Sequence, residues 1–236
     1  MPQAPLGDWL NDFVTLFYPE WCAACHLPLV KGESLLCTGC KMTLPETKFH
    51  LDPDNHVARH FYGRVQLQGA TALYFFRKGS RVQTMIHHLK YHDRPEIGVA
   101  IGQYYGYQLL QAAPYDTVDC IIPVPLHPKK EHKRGYNQAA QFARGLSLAM
   151  EKPYYKKYLI RKSFTATQTR KSRIERWQNV GEVFSLHQPR LLEGKHILLV
   201  DDVVTTGATL EACAQKLLQI PGVEVSVATI ATAFTF

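Results

Sequence analysis

The chain has 236 residues, 46% hydrophobic and 20% charged, with 27 Lys and Arg against 20 Asp and Glu. That is enough apolar chain for one buried core plus a small module, and it excludes a disordered or low-complexity protein. A net charge of +7 favours phosphorylated metabolites or nucleic acid as partners. No run approaches the length of a membrane-spanning helix, and Asp8 and Asp12 stand where a secretory leader would be basic. The sequence therefore predicts a cytoplasmic protein with no membrane insertion.

In chain order, residues 8–18 read as an amphipathic helix with Trp9, Leu10, Phe13, Leu16 and Phe17 on one side. Cys22-x-x-Cys25 follows, then eleven residues, then Cys37-x-x-Cys40. Two such thiolate pairs match the closed tetrahedral site of structural Zn2+. A redox pair needs only one C-x-x-C beside a βαβ pattern, which is lacking here. His26, next to a ligand pair, reads as a bystander, because four cysteines already complete the sphere. The module is placed at 1–48. Residues 41–60, polar and carrying Pro45 and Pro53, read as a linker, with the main domain at 61–236.

Residues 65–76 predict a hairpin or strand pair, and 81–89 and 95–110 predict helices, the second opened by Pro95. His87, His88 and His92 lack metal-site spacing and read as a basic face near the site. Residues 118–124 predict a buried strand, followed by a loop bearing Lys129, Lys130, His132, Lys133, Arg134 and Gly135, then a helix with Ala139, Phe142, Ala143 and Leu146 on its apolar side. A basic loop at a strand's carboxyl end that leads into a helix is a candidate anion site. Strands are predicted near 158–162 and 181–186, joined by a long polar segment carrying Gln168, Arg170, Lys171, Arg173, Arg176 and Asn179. A segment of that kind reads as a functional lid, its arginines closing over a phosphate or tracking a nucleic-acid backbone with Trp177 as a stacking surface.

The most informative stretch is Ile197 to Leu210, ILLVDDVVTTGATL. An unbroken apolar run fits a strand buried on both faces of a parallel sheet. It runs into Asp201 and Asp202, then Thr205, Thr206, Gly207, Ala208 and Thr209, then a helical pattern. The start of that helix suits a phosphate, and the two carboxylates suit hydroxyls or a cation. A ribose 5-phosphate satisfies both. A receiver domain also has paired acids after a strand, but it needs most of its sheet afterwards, and only 34 residues follow here. A final alternating strand is expected near 223–234.

This stretch resembles the phosphoribosyl diphosphate (PRPP) motif of type I phosphoribosyltransferases, in which the acidic pair holds the ribose hydroxyls and the T-T-G-x-T loop holds the 5-phosphate. The larger order resembles the competence protein F family: four cysteines, LKY at Leu89 to Tyr91, PVP, then K-R-G-Y-N-Q at Lys133 to Gln138, the segment with Arg173 and Arg176, and VDDVVTTGAT. Lys171 and Gly181 depart from the family pattern. The resemblance implies an α/β phosphoribosyltransferase-like parallel sheet flanked by helices, with a small N-terminal zinc-binding module. It also implies PRPP bound with Mg2+, Lys129, Lys130, Lys133 and Arg134 at the pyrophosphate, a role in DNA uptake and natural transformation, and a helicase-like competence partner. Single-stranded DNA is a further expected ligand, with or without catalysis. The residues themselves identify no acceptor.

Overall fold

A computed structural model describes residues 19–161 and 183–233. The predicted helix at 8–18 lies outside these residues, as do Arg173, Arg176 and the rest of the predicted lid.

Strands β1 (Gly69–Phe76), β2 (Cys120–Pro123), β5 (His196–Val204) and β6 (Glu224–Ala233) form one parallel sheet in the order β1-β6-β5-β2. Strands β3 (Leu159–Arg161) and β4 (Phe184–Leu186) make a short antiparallel pair. The helices are α1 (Thr38–Thr43), α2 (His56–Arg59), α3 (Arg81–Tyr91), α4 (Pro95–Leu109), α5 (Pro128–Arg134), α6 (Gln138–Met150) and α7 (Ala208–Leu217).

The unbroken apolar run in β5 has the predicted cause. Leu198 and Val200 join a core shared with α3, α4 and α6, while Ile197 and Leu199 join the opposite core with α7. Each of these side chains is fully buried, a contribution of about 1.5–3 kcal/mol apiece. The final strand is also buried on both faces, so its polar residues are internal rather than solvent-facing. Ser226, for instance, lies 2.9 Å from His196 Nε2.

The pairing of α4 with α6 depends on glycine. A Cβ at Gly145 would stand 2.0 Å from the Val99 carbonyl oxygen, and one at Gly102 would stand 2.3 Å from that of Phe142. The two backbones therefore touch, and α6 lies close on its side of the sheet.

Three local expectations are corrected. Residues 65–76 give one strand rather than a hairpin, because their pairing partner is the distant β6. Residues 41–60 are not a linker. The Thr47 N–H donates to the Leu73 carbonyl and the Phe75 N–H to that of Pro45, so the segment covers the exposed edge of β1. The Asn55 amide then bridges the Phe49, Asp52 and Ala70 carbonyls, and its oxygen caps α2. The basic loop after β2 is the short helix α5, started by His127 and Pro128 and stopped by Gly135 in a left-handed conformation at φ 79°.

Candidate functional site

Strands β2 and β5 are neighbours, yet the helices that follow them pack on opposite faces, α6 in one core and α7 in the other. Such a switch point opens a crevice beyond the carboxyl ends of the two strands, where ligands of open α/β sheets bind. Asp201, Asp202 and the Thr205–Thr209 loop edge this crevice from β5, and the chain into α5 leaves from β2.

Asp201 and Asp202 are half-buried near the end of β5. The Asp202 N–H donates to Asp201 Oδ1 at 2.8 Å, and Lys90 Nζ lies 2.8 Å from Asp202 Oδ2. Burial first, and the neighbouring Asp202 charge second, push the Asp201 carboxyl up to about 8, against the pull of Lys90 and Arg161. A cation or a pair of hydroxyls would complete this donor set.

The loop after β5 turns at Gly207, whose φ is 75°. A side chain there would be strained, and its Cβ would meet the Phe61 ring at 3.1 Å. No side chain caps the start of α7, and Thr206 Oγ1 reaches only the Ala208 N–H, at 3.4 Å. Thr205, Thr206, Ala208 and Thr209 are exposed. Arg64 braces the loop from outside by donating to the Thr206 carbonyl and pairing with Glu211. Backbone N–H groups, hydroxyls and the positive end of a helix dipole converge here, the arrangement that binds a phosphate.

Lys129, Lys130 and Lys133 are exposed on α5, and Arg134 is half-buried. Arg134 donates to Gln138 Oε1 at 2.8 Å, and its guanidinium sits 5.1 Å from the centre of the Tyr91 ring. In the K-R-G-Y-N-Q run, Tyr136 and Asn137 are structural. The Tyr136 hydroxyl donates to the Leu89 carbonyl at 2.6 Å, while Asn137 caps α6 and donates to the Val124 carbonyl.

Cys22, Cys25, Cys37 and Cys40 bring their sulfurs within 4.8 Å of one another. The 3.7 Å between Cys25 Sγ and Cys37 Sγ is close to the roughly 3.8 Å edge of a tetrahedron with metal–sulfur bonds of about 2.3 Å. The Cys37 N–H points at Cys22 Sγ and the Cys40 N–H at Cys37 Sγ, each at 3.4 Å. Burial raises the Cys22 thiol, but backbone N–H groups of Cys37, Cys25 and Ala24 outweigh it and lower it to about 6. Cys40 is driven up by burial and by its three sulfur neighbours. A divalent cation removes that conflict, and the cluster could bind zinc.

Sequence reasoning gave no role to Lys90, Arg64 or Phe61. Lys90 meets Asp202 only because the end of α3 folds over the crevice, and no spacing signal announces a pairing between such distant positions. Among the described residues no helix is long and apolar enough to cross a membrane.

Comparison with known proteins finds one family match and several relatives. Residues 133–234 match the phosphoribosyl transferase domain family. The DNA utilization protein YhgH of Escherichia coli O157:H7 is 29% identical over 219 residues, covering 86% of this chain and 93% of that protein. Competence protein F of Haemophilus influenzae is 39% identical over 107 residues, 45% of this chain and 46% of that protein. Among solved structures, glutamine PRPP amidotransferase from B. subtilis superposes with a TM-score of 0.43 and 23% identity, over 61% of this chain and 30% of that one.

Sheet, crevice and domain match together define a phosphoribosyltransferase-type α/β protein with an N-terminal cysteine cluster. Within that class the chain is similar to a DNA utilization protein over most of its length and to competence protein F over about half of it.

Proposed function

We propose that this is a PRPP-binding, phosphoribosyltransferase-like protein that acts in the cytoplasm in DNA uptake and natural transformation. The observation that carries the reading is the acidic pair and uncapped T-T-G-A-T loop at the β2/β5 switch point, within the region that matches the phosphoribosyl transferase domain. The DNA-related part rests on the names of the relatives, a DNA utilization protein and a competence protein.

In this reading Asp201 and Asp202 hold the ribose diol and orient Mg2+, which when bound offsets the negative charge of the pyrophosphate. Thr205, Thr206, Gly207, Ala208 and Thr209 hold the 5-phosphate. Lys129, Lys130, Lys133 and Arg134 face the pyrophosphate, and Arg173 and Arg176 join them by sequence assignment. Catalysis would break the bond between ribosyl C1 and the pyrophosphate oxygen and form one from C1 to an acceptor atom, whose proton is lost. Fixed cations help most where the leaving group gains charge, and removing one such donor typically costs about 3 kcal/mol of barrier. Zn2+ in the cysteine cluster is structural, with the module assigned to 1–48 and the phosphoribosyltransferase-type domain to 61–236. A helicase-like competence protein is the expected partner.

Calorimetric titration of PRPP with Mg2+ tests the reading. The wild type binds, and an Asp201→Asn, Asp202→Asn double variant does not. Equal heats from both proteins would reject the assignment of the acidic pair.

A second reading is favoured by the exposed Lys129, Lys130 and Lys133 on α5. Here the protein binds single-stranded DNA without catalysis, and the PRPP site is sensory or vestigial. Contacts to several phosphates would make affinity fall steeply with salt. Lack of strand binding at low salt would remove this reading.

A further inference from the structure

The last turn of α3 touches three parts of the molecule, the first cysteine pair, the end of β5 and the run at 133–138, through four consecutive residues. His88 Nε2 is 2.9 Å from His26 Nε2, so one ring N–H donates to the other ring. The Leu89 carbonyl accepts the Tyr136 hydroxyl at 2.6 Å. Lys90 pairs with Asp202 at 2.8 Å. Tyr91 lies beneath the Arg134 guanidinium, 5.1 Å from its ring centre. His26 directly follows Cys25 and sits in a left-handed conformation at φ 60°, so a polar side chain beside the first cysteine pair meets this turn.

We propose that residues 88–91 couple the cysteine module to the PRPP site. The His26–His88 contact fixes the end of α3, and this sets how Lys90 meets Asp202 and how Tyr91 meets Arg134.

The register of the turn is rigid upstream, because Val82, Met85, Ile86 and Leu89 are buried in the core that also holds Cys22, Ala23, Ala24 and Cys40. Beyond Leu89 that apolar anchoring stops: Lys90 is half-buried and Tyr91 exposed, so polar contacts decide their positions. Finally, Lys90 has two uses. It pairs with Asp202, with the side chains 22% and 14% exposed. When a polyanion enters beside two carboxylates, the same ammonium offsets the repulsion between ligand and acids, and it can turn toward the ligand only from a correctly placed helix end. Lys90 and His26 are positioning residues in this scheme, and the coupling rests on the PRPP-binding reading above.

His26 is exposed outside this one contact, so its substitution leaves the core intact. The test uses the full, zinc-loaded chain and two readouts: hydrogen exchange of the amides at 88–92, and calorimetric titration of PRPP with Mg2+. His26→Ala, with zinc content unchanged, should speed exchange at 88–92 at least tenfold and weaken PRPP at least threefold. His88→Gln, which retains a hydrogen-bonding group of similar reach, should stay within twofold of wild type in both. Lys90→Met should weaken PRPP at least tenfold, and adding His26→Ala to it should cost less than His26→Ala does alone, since only the Tyr91–Arg134 part of the coupling is left, the non-additivity expected of residues acting through one another. Unchanged exchange in His26→Ala overturns the coupling, and so do additive losses in the double variant. A wild type that binds no PRPP overturns the functional reading instead, and the exchange comparison alone then decides the coupling.

Discussion

Two helices begin at the carboxyl edge of the same sheet, after adjacent strands, and they begin differently. At α6 the Asn137 side chain accepts from the Ala139 and Ala140 N–H groups and donates to the Val124 carbonyl, so the protein satisfies its own helix start. At α7 the start is Gly207, with no side-chain cap and exposed threonines around it. Helix starts expose N–H groups that need partners. One of these is closed by a side chain and holds the fold together. The other has no side-chain cap, which is what the proposed PRPP loop requires and what separates it from a structural turn at an equal position in the sheet.

The largest expected effect breaks the closed start. Asn137→Ala strips two donors and one acceptor of their partner in a buried place, and should lower unfolding free energy by about 2 kcal/mol. Denaturant unfolding measures this, with PRPP affinity of the remaining folded protein within twofold of wild type. If affinity fell more than stability, the two starts would not be separate in role.

Gly207→Ala should show the opposite balance. Its left-handed backbone and the Phe61 contact predict a stability loss of about 1–2 kcal/mol, together with at least a tenfold loss of PRPP affinity by calorimetry. Thr206→Ala is milder: stability within about 0.5 kcal/mol of wild type, as for ordinary surface changes, and a few-fold weaker binding. A Thr206→Ala protein that bound PRPP as wild type does would leave the hydroxyl out of the site.

The smallest effect serves as a baseline from the other end of β5. Burial holds His196 below its ordinary range, between Thr117 and Ser226 as neutral partners. The unfolded chain takes up this proton near pH 6.5 and the folded chain only at lower pH. Stability from this group is therefore full above about pH 6.5 and is lost as pH falls toward the folded value. The melting temperature should decline on acidification from pH 7, and less so in His196→Gln. His50 and His60 are lowered in the same direction by burial, so the variant removes only part of the slope.

Much of this was legible in the sequence because it is local. The β5 run and the T-T-G-A-T turn lie in one continuous stretch, and two C-x-x-C pairs announce a four-sulfur cluster by spacing alone. The segment at 41–60 is not legible in the sequence for the converse reason. Its polar residues and prolines fit a linker, yet its backbone groups are used to cover an edge strand that sequence pattern does not locate. The basic run at 129–134 read as a loop because charge obscured a short helix defined by His127, Pro128 and Gly135 at its ends.

By itself the sequence determined that β5 is buried on both faces, which cysteines gather, and where a glycine- and threonine-rich turn follows an acidic pair, since these follow from hydrophobic runs and short-range geometry. Only the tertiary structure decided that β2 lies beside β5 with their helices on opposite faces, and that the end of α3 brings Lys90 to Asp202 and His88 to His26. Those contacts join residues far apart in the chain, and packing of the two cores fixes them rather than any local preference.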